Sequence, residues 1–196
     1  MGVILGVWAS PPVPLAGQNA SPWSRLDSRR LLDKVEQIER NGALATPTPL
    51  KTIITENEIN AYLAYDGRDQ IPVGVVDPRV RILENRRVTA RAVVDLDAVA
   101  KQHKSTGWLD PMRFLSGRLV ISAAGVLTAT DGVARLYYER ADAAGIPIPK
   151  VLLQEILTYY SRTEANPRGL NLDDAYALPA RIRTIEVDRS EAVIVQ

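Results

Sequence analysis

The sequence predicts an α+β domain: a curved antiparallel sheet of hairpins with two to three helices packed on its apolar face. Three observations predict it. Apolar and polar residues alternate with a period of two over residues 79–82 and 88–97, the mark of strands with one buried and one wet face, and residues 133–140 are rich in β-branched and aromatic residues. These strands follow one another through tight turns, above all Asp131-Gly132, and strands joined that way are antiparallel. Residues 150–162 instead carry a helical period. Leu152, Leu153, Ile156, Leu157, Tyr159 and Tyr160 lie on one arc, and Lys150, Gln154, Glu155, Thr158, Ser161 and Arg162 on the other. An arc that broad needs a broad apolar surface such as a sheet to cover it. This helix is therefore expected to be the main core element.

Taken in order, the chain begins with an apolar stretch, Met1 to Trp8, and then a proline-rich one. Val7-x-Ala9 suits a signal-peptide cleavage site, although no Lys or Arg precedes Arg25. Residues 1–20 are read as a disordered tail or a signal remnant, and residues 21–196 as a single domain. Ser21-Pro22 reads as an N-cap and first helical residue, and Asn41-Gly42 as the stop. The stripe Leu31, Val35, Ile38 is narrow, which predicts a helix on the outside of the domain. A short strand at 50–54 leads into Thr55-Glu56-Asn57-Glu58, a capping box. The helix after it buries Ile59, Tyr62 and Leu63.

A hairpin follows over residues 73–96, with Val88, Ala90, Ala92, Val94 and Leu96 on its buried face. Residues 98–117 break the pattern. A loop this long inside a domain is usually functional or disordered, and Trp108 and Phe114 argue against plain disorder. The second hairpin pairs 118–130 with 133–140. Ile146-Pro147-Ile148-Pro149 is extended, because a residue before proline is pushed out of the α region. Residues 161–174 are polar and turn-rich, and a last hairpin joins 180–187 to 192–195.

Composition narrows the function classes. The formal net charge is +1, which gives no general attraction to nucleic acid. There are no cysteines and one histidine, so thiolate metal sites, cysteine nucleophiles and a multi-histidine site within one chain are excluded. No P-loop, G-x-G-x-x-G after a strand, G-x-S-x-G or H-E-x-x-H occurs. Asp95 with Asp97, and Asp173 with Asp174, could do acid–base work or hold a cation, but no further ligand has a recognisable spacing; the plainer reading is a solvated face. His103 lacks a partner motif and reads as a surface histidine. The arginines at 79, 81, 86, 87 and 91 are nearly balanced by Asp77, Glu84, Asp95 and Asp97. Tyr137, Tyr138, Tyr159 and Tyr160 read as core packing or as the wall of a ligand cavity.

The capped helix at 54–63 (ITENEINAYL), the long hairpin at 117–139 (GRLVISAAGVLTATDGVARLYYE), the proline-entered helix at 145–157 (GIPIPKVLLQEIL) and the closing hairpin together resemble small bacterial cell-envelope proteins related to the tubular lipid-binding (TULIP, BPI-like) superfamily. The resemblance covers residues 50–196 and is one of layout. It implies an exported or periplasmic, non-enzymatic protein that binds lipid between a curved sheet and a helix. The sheet residues there are small (Ala90, Ala92, Ala123, Ala124, Gly125) and leave either close contact or a void. A void would be an apolar ligand pocket of Leu152, Ile156, Leu157, Tyr160, Tyr138, Ala123, Tyr62 and Leu63, with Trp108 and Phe114 as a lid or membrane-touching edge. No cofactor, metal or catalytic residue is expected. The expected partner is a lipid or other apolar small molecule, with room for peripheral membrane contact. The alternatives are a structural or protein-interaction subunit with a filled core, or an enzyme using the His103 loop.

Overall fold

The computed structural model describes residues 22–102, 116–162 and 166–196. The expected tail at 1–20, His103, Trp108 and Phe114 lie outside the described residues. The chain is α+β, with four helices and two antiparallel sheets among those residues. Helix α1 (Arg25–Ala43) is followed by β1 (Lys51–Thr55) and α2 (Glu56–Ala64). Strands β2 (Val75–Ile82) and β3 (Arg87–Asp95) lead into a short α3 (Leu96–Gln102). After it come β4 (Arg118–Thr130), β5 (Val133–Ala143), the two-residue β6 (Ile146–Pro147) and α4 (Lys150–Tyr160). The chain closes with β7 (Ala175–Ala177), β8 (Thr184–Asp188) and β9 (Glu191–Val195).

The larger sheet runs β2-β3-β4-β5-β6, with β7 also paired to β5, and is not closed into a barrel. The smaller sheet has the order β1-β9-β8. The final hairpin thus joins the strand that opens the domain, not the long hairpins. Leu31 and Ile38 of α1 pack with Ile54, Ile182 and Ile194 in one buried cluster, with Ile59 and Tyr62 of α2 against it. One expectation holds and one is corrected. Helix α1 lies on the outside of the domain and turns a narrow stripe inward, with Ile38 only 4% exposed and most of the helix open to solvent. Helix α4 is peripheral: Leu152 is 47% and Ile156 39% exposed.

Local chemistry fixes the elements. Helix α1 starts one turn later than Ser21-Pro22 suggests: Ser24 is the N-cap and accepts from the Asp27 N–H. The capping box at Thr55 forms with both of its bonds. Its glutamate, Glu58, also accepts from Lys34 of α1 at 2.6 Å, which ties α1, α2 and β1 together. Edge strand β2 is covered by α2. The Asn60 side chain donates to the Val80 carbonyl at 2.8 Å and accepts from the Val80 N–H at 2.8 Å. Glu56 accepts from the Ile82 N–H at 2.8 Å. An edge that would otherwise present free N–H and C=O groups is closed by side chains.

Candidate functional site

Residues paired across neighbouring strands share a face. The rows Val80–Ala90–Ala123–Ala141 and Ile82–Val88–Gly125–Tyr138 form one face of the large sheet. The rows Arg79–Arg91–Ser122–Asp142 and Arg81–Thr89–Ala124–Arg140 form the other. The division depends on one irregularity. The hairpin turn has Asp131 at φ 53° and Gly132 at φ 76°, the two positive φ values that a two-residue turn of this twist needs. Counted from that turn, Arg140 would face Ala123 on the apolar side. A bulge between Ala124 and Gly125 shifts the register. It takes Glu139 out of the pairing, puts Arg140 on the polar face, and brings Ala141 opposite Ala123. Gly125 is required at this bulge, since a Cβ there would lie 2.7 Å from the Tyr137 carbonyl oxygen.

On the apolar face, α4 and the segment 166–174 roof a cleft of about 220 Å³. Val80, Ala90, Ala123, Tyr138, Leu153 and Leu172 are among its lining, which is almost entirely carbon. The chain reaches this roof through a second tight turn, with Ala144 at φ 51° and Gly145 at φ 86°. The Ile148 N–H then donates to the Ala141 carbonyl at 2.9 Å. The Tyr138 hydroxyl donates to the Ile148 carbonyl at 3.0 Å, so it anchors the start of α4.

The roof is held by polar groups. Gln154 donates to the Leu170 carbonyl at 3.0 Å and accepts from the Leu172 N–H at 2.6 Å. Thr158 also donates to the Leu170 carbonyl, at 3.1 Å, and Ser161 accepts from the Leu170 N–H at 2.6 Å. Lys150 pairs with Asp173. Gly169 sits where a Cβ would lie 2.2 Å from the Thr158 carbonyl oxygen, at φ 71°, so only glycine allows this approach. These bonds explain why α4 is turned from the orientation its apolar arc suggests. The segment it meets has no ladder, and its backbone groups need partners. Gln154 and Thr158 face inward to supply them, while Leu152 and Ile156 turn outward.

Of the residues expected in a pocket, Ala123 and Tyr138 line the cleft. Leu157 of α4 is half-buried but is not in its lining. Tyr62 packs against the small-sheet cluster, and Leu63 lines a separate groove with Trp23 and Val73. The Tyr160 side chain is outside what is described. Leu153 and Leu172 were missed. Leu153 shares the arc of Leu152 and was not separated from it, and Leu172 lies in a segment with no periodicity.

Three of the four carboxylates flagged by sequence, Asp95, Asp97 and Asp173, have structural partners. Asp95 accepts from the Ala98 N–H at 3.0 Å and pairs with Arg118 at 3.4 Å. The Ala98 N–H, then Arg118, hold its carboxyl below the usual aspartate range despite the opposing effect of desolvation. Asp97 accepts from the Gly117 N–H. Among the described residues no group of three or more His, Cys, Asp or Glu could hold a metal ion. On the polar face, Asp142 accepts from Ser122 Oγ at 2.7 Å and from the Gly145 N–H at 3.1 Å. Those two bonds, in that order, and then the charges of Arg140 and Arg91 hold its carboxyl below the usual range against the opposing effect of desolvation.

No family model, curated protein or solved structure matches the chain.

Proposed function

We propose that the protein is a non-enzymatic binder of an apolar ligand or the acyl part of a lipid, held in the cleft under α4. The observation that supports this reading is the lining: small sheet residues (Ala90, Ala123, Gly125) under a helix leave about 220 Å³ bounded almost wholly by carbon. An apolar cavity of roughly 150 Å³ holds benzene, so this one suits roughly six to nine carbons. At about 0.8 kcal/mol per buried methylene that is about 5–7 kcal/mol. Before ordering costs, this corresponds to about 10–200 μM. The reading is therefore of a loosely held, exchangeable chain. The open sheet would take it along one face rather than inside a tube. Its remainder would emerge over Leu152 and Ile156.

The cell-envelope setting belongs to the same proposal and rests on the resemblance to TULIP-related proteins. A reporter active only outside the cytoplasm, fused behind the chain within its own gene so that any upstream coding sequence is kept, reads it: an inactive reporter removes the envelope setting. A second reading, a protein-interaction subunit, is favoured by the exposed Ile146, Val151, Leu152 and Ile156. Replacing Ala123 with leucine separates the two. On the proposal it fills the cleft and abolishes binding of a fluorescent fatty acid while the circular dichroism spectrum stays unchanged. Unaltered binding in the folded variant would place the ligand elsewhere. No binding by the wild type across several lipid classes would favour the interaction subunit.

A further inference from the structure

The opposite face of the large sheet carries a second concavity, about 480 Å³, bounded by Arg79, Arg81, Arg91 and Arg140 and by Trp23 at its rim. We propose that this trough is a binding site for a small anionic ligand carrying phosphate groups. Its shape follows from the register. Arg79 and Arg81 stand on β2 and Arg140 on β5, three strand spacings away, roughly 14 Å. Between them Thr89, Ser122 and Ala124 are short and form a floor, from which Arg91 rises on β3.

Only part of the charge is compensated within the fold. Arg79 pairs with Asp77 at 2.8 Å and lies over the Trp23 ring at 5.2 Å. Among the described residues, Arg81, Arg91 and Arg140 form no ion pair within 4 Å, and Arg140 and Arg91 share the charge of one carboxylate, Asp142, at longer range. Asp142, the nearest acid in the row, already accepts bonds from Ser122 and Gly145. Glu56, the other carboxylate of the lining, accepts from the Ile82 N–H. Four arginines thus face two carboxylates that already accept bonds elsewhere, Asp142 through both oxygens and Glu56 through one. The arrangement also works against the sheet. Arg79 and Arg91 are directly opposed across β2 and β3, and like charges so placed are destabilising. The bulge at Ala124 and Gly125 is what delivers Arg140 to the same trough.

Planar guanidiniums bind phosphate through paired, charge-assisted bonds. A concavity of this size is that of a small-molecule site, too confined for a nucleic-acid duplex. The phosphate could belong to a soluble molecule or to a lipid head group. Because this trough and the cleft under α4 are on opposite faces, the proposal does not depend on the apolar-ligand reading.

The test uses the full chain at about 0.15 M salt. Calorimetry with inorganic pyrophosphate is run beside flotation with phosphatidic acid vesicles and with phosphatidylcholine vesicles. The variants are R91Q/R140Q and, as a control of equal charge change, R29Q/R183Q. Pyrophosphate binding weakened at least about tenfold in R91Q/R140Q but within about twofold of wild type in the control supports a soluble phosphate ligand. Binding only to phosphatidic acid vesicles, lost in R91Q/R140Q alone, supports a head group. No binding in either arm, or equal weakening by both variants, overturns the site. Thermal unfolding gives an independent reading. Arginines kept for a ligand predict that R91Q unfolds at the wild-type temperature or above it, most clearly at low salt. A lower unfolding temperature would show that they serve the fold.

Discussion

Replacing Glu58 with glutamine should destabilise the protein by about 2 kcal/mol at pH 7. Glu58 is 5% exposed. It accepts from Lys34 Nζ at 2.6 and 2.8 Å and from the Thr55 N–H at 2.8 Å. Breaking a buried charge pair costs about 3–5 kcal/mol. Two features lower that figure here: glutamine keeps the capping-box acceptor, and Lys34 is partly exposed and still donates to the Ile53 carbonyl at 2.6 Å. Burial alone would push the Glu58 carboxyl up. The bonds from Lys34 and Thr55, together with the lysine charge, outweigh it and hold the carboxyl below the ordinary glutamate value. A depressed folded-state pKa means that the unfolded chain takes up the proton first as pH falls. The contribution is therefore complete at neutral pH. It declines once pH drops below the ordinary glutamate value and is gone below the folded-state one. Urea unfolding of wild type, E58Q, K34M and the double variant should give a coupling of about 1–2 kcal/mol at pH 7. The wild type should lose more stability than E58Q between about pH 5 and pH 3. A coupling under about 0.5 kcal/mol, or parallel pH profiles, would refute the reasoning.

Other substitutions test the placement of the core and the sheet edge. Ile38→Ala should cost about 2–5 kcal/mol in urea unfolding, as a buried aliphatic does, whereas Ile156→Ala should cost under about 1 kcal/mol; the reverse order would restore α4 as the core helix. Asn60→Ala should cost about 2–3 kcal/mol, because it strips both backbone partners from Val80. It should also raise the aggregation rate by opening the β2 edge. A soluble variant of wild-type stability would mean that the edge needs no cover.

The strands and turns were legible because their signals are local. The Asp131-Gly132 turn, the Thr55 capping box and the alternation from Val88 to Val94 each need only neighbouring residues. What was not legible depends on long-range geometry. The bulge that carries Arg140 to the polar face leaves a single glycine as its trace, and an arginine patch counted on one hairpin cannot include a residue from another. Likewise, hydropathy placed Leu152 and Ile156 against the sheet. The orientation of α4 is instead set by Gln154, Thr158 and Ser161, polar residues that satisfy backbone groups of Leu170 and Leu172. The split into two sheets was equally hidden, since antiparallel hairpins do not state which earlier strand they will join. Of the residues expected in a pocket, Ala123 and Tyr138 line the cleft because they follow the strand period. Leu172 was not expected, because its segment has no period.

Where a bound chain sits is the decisive observation. A medium-chain fatty acid can be titrated into protein labelled at its leucine, isoleucine and valine methyls and followed by NMR. Ligand under α4 predicts saturable shifts at Leu136, Leu153, Leu172 and Val88, with Ile38, Ile54 and Ile194 of the small-sheet core unmoved. Shifts confined to Ile146, Val151, Leu152 and Ile156 on the outer surface, or no saturable shift at all, would contradict it.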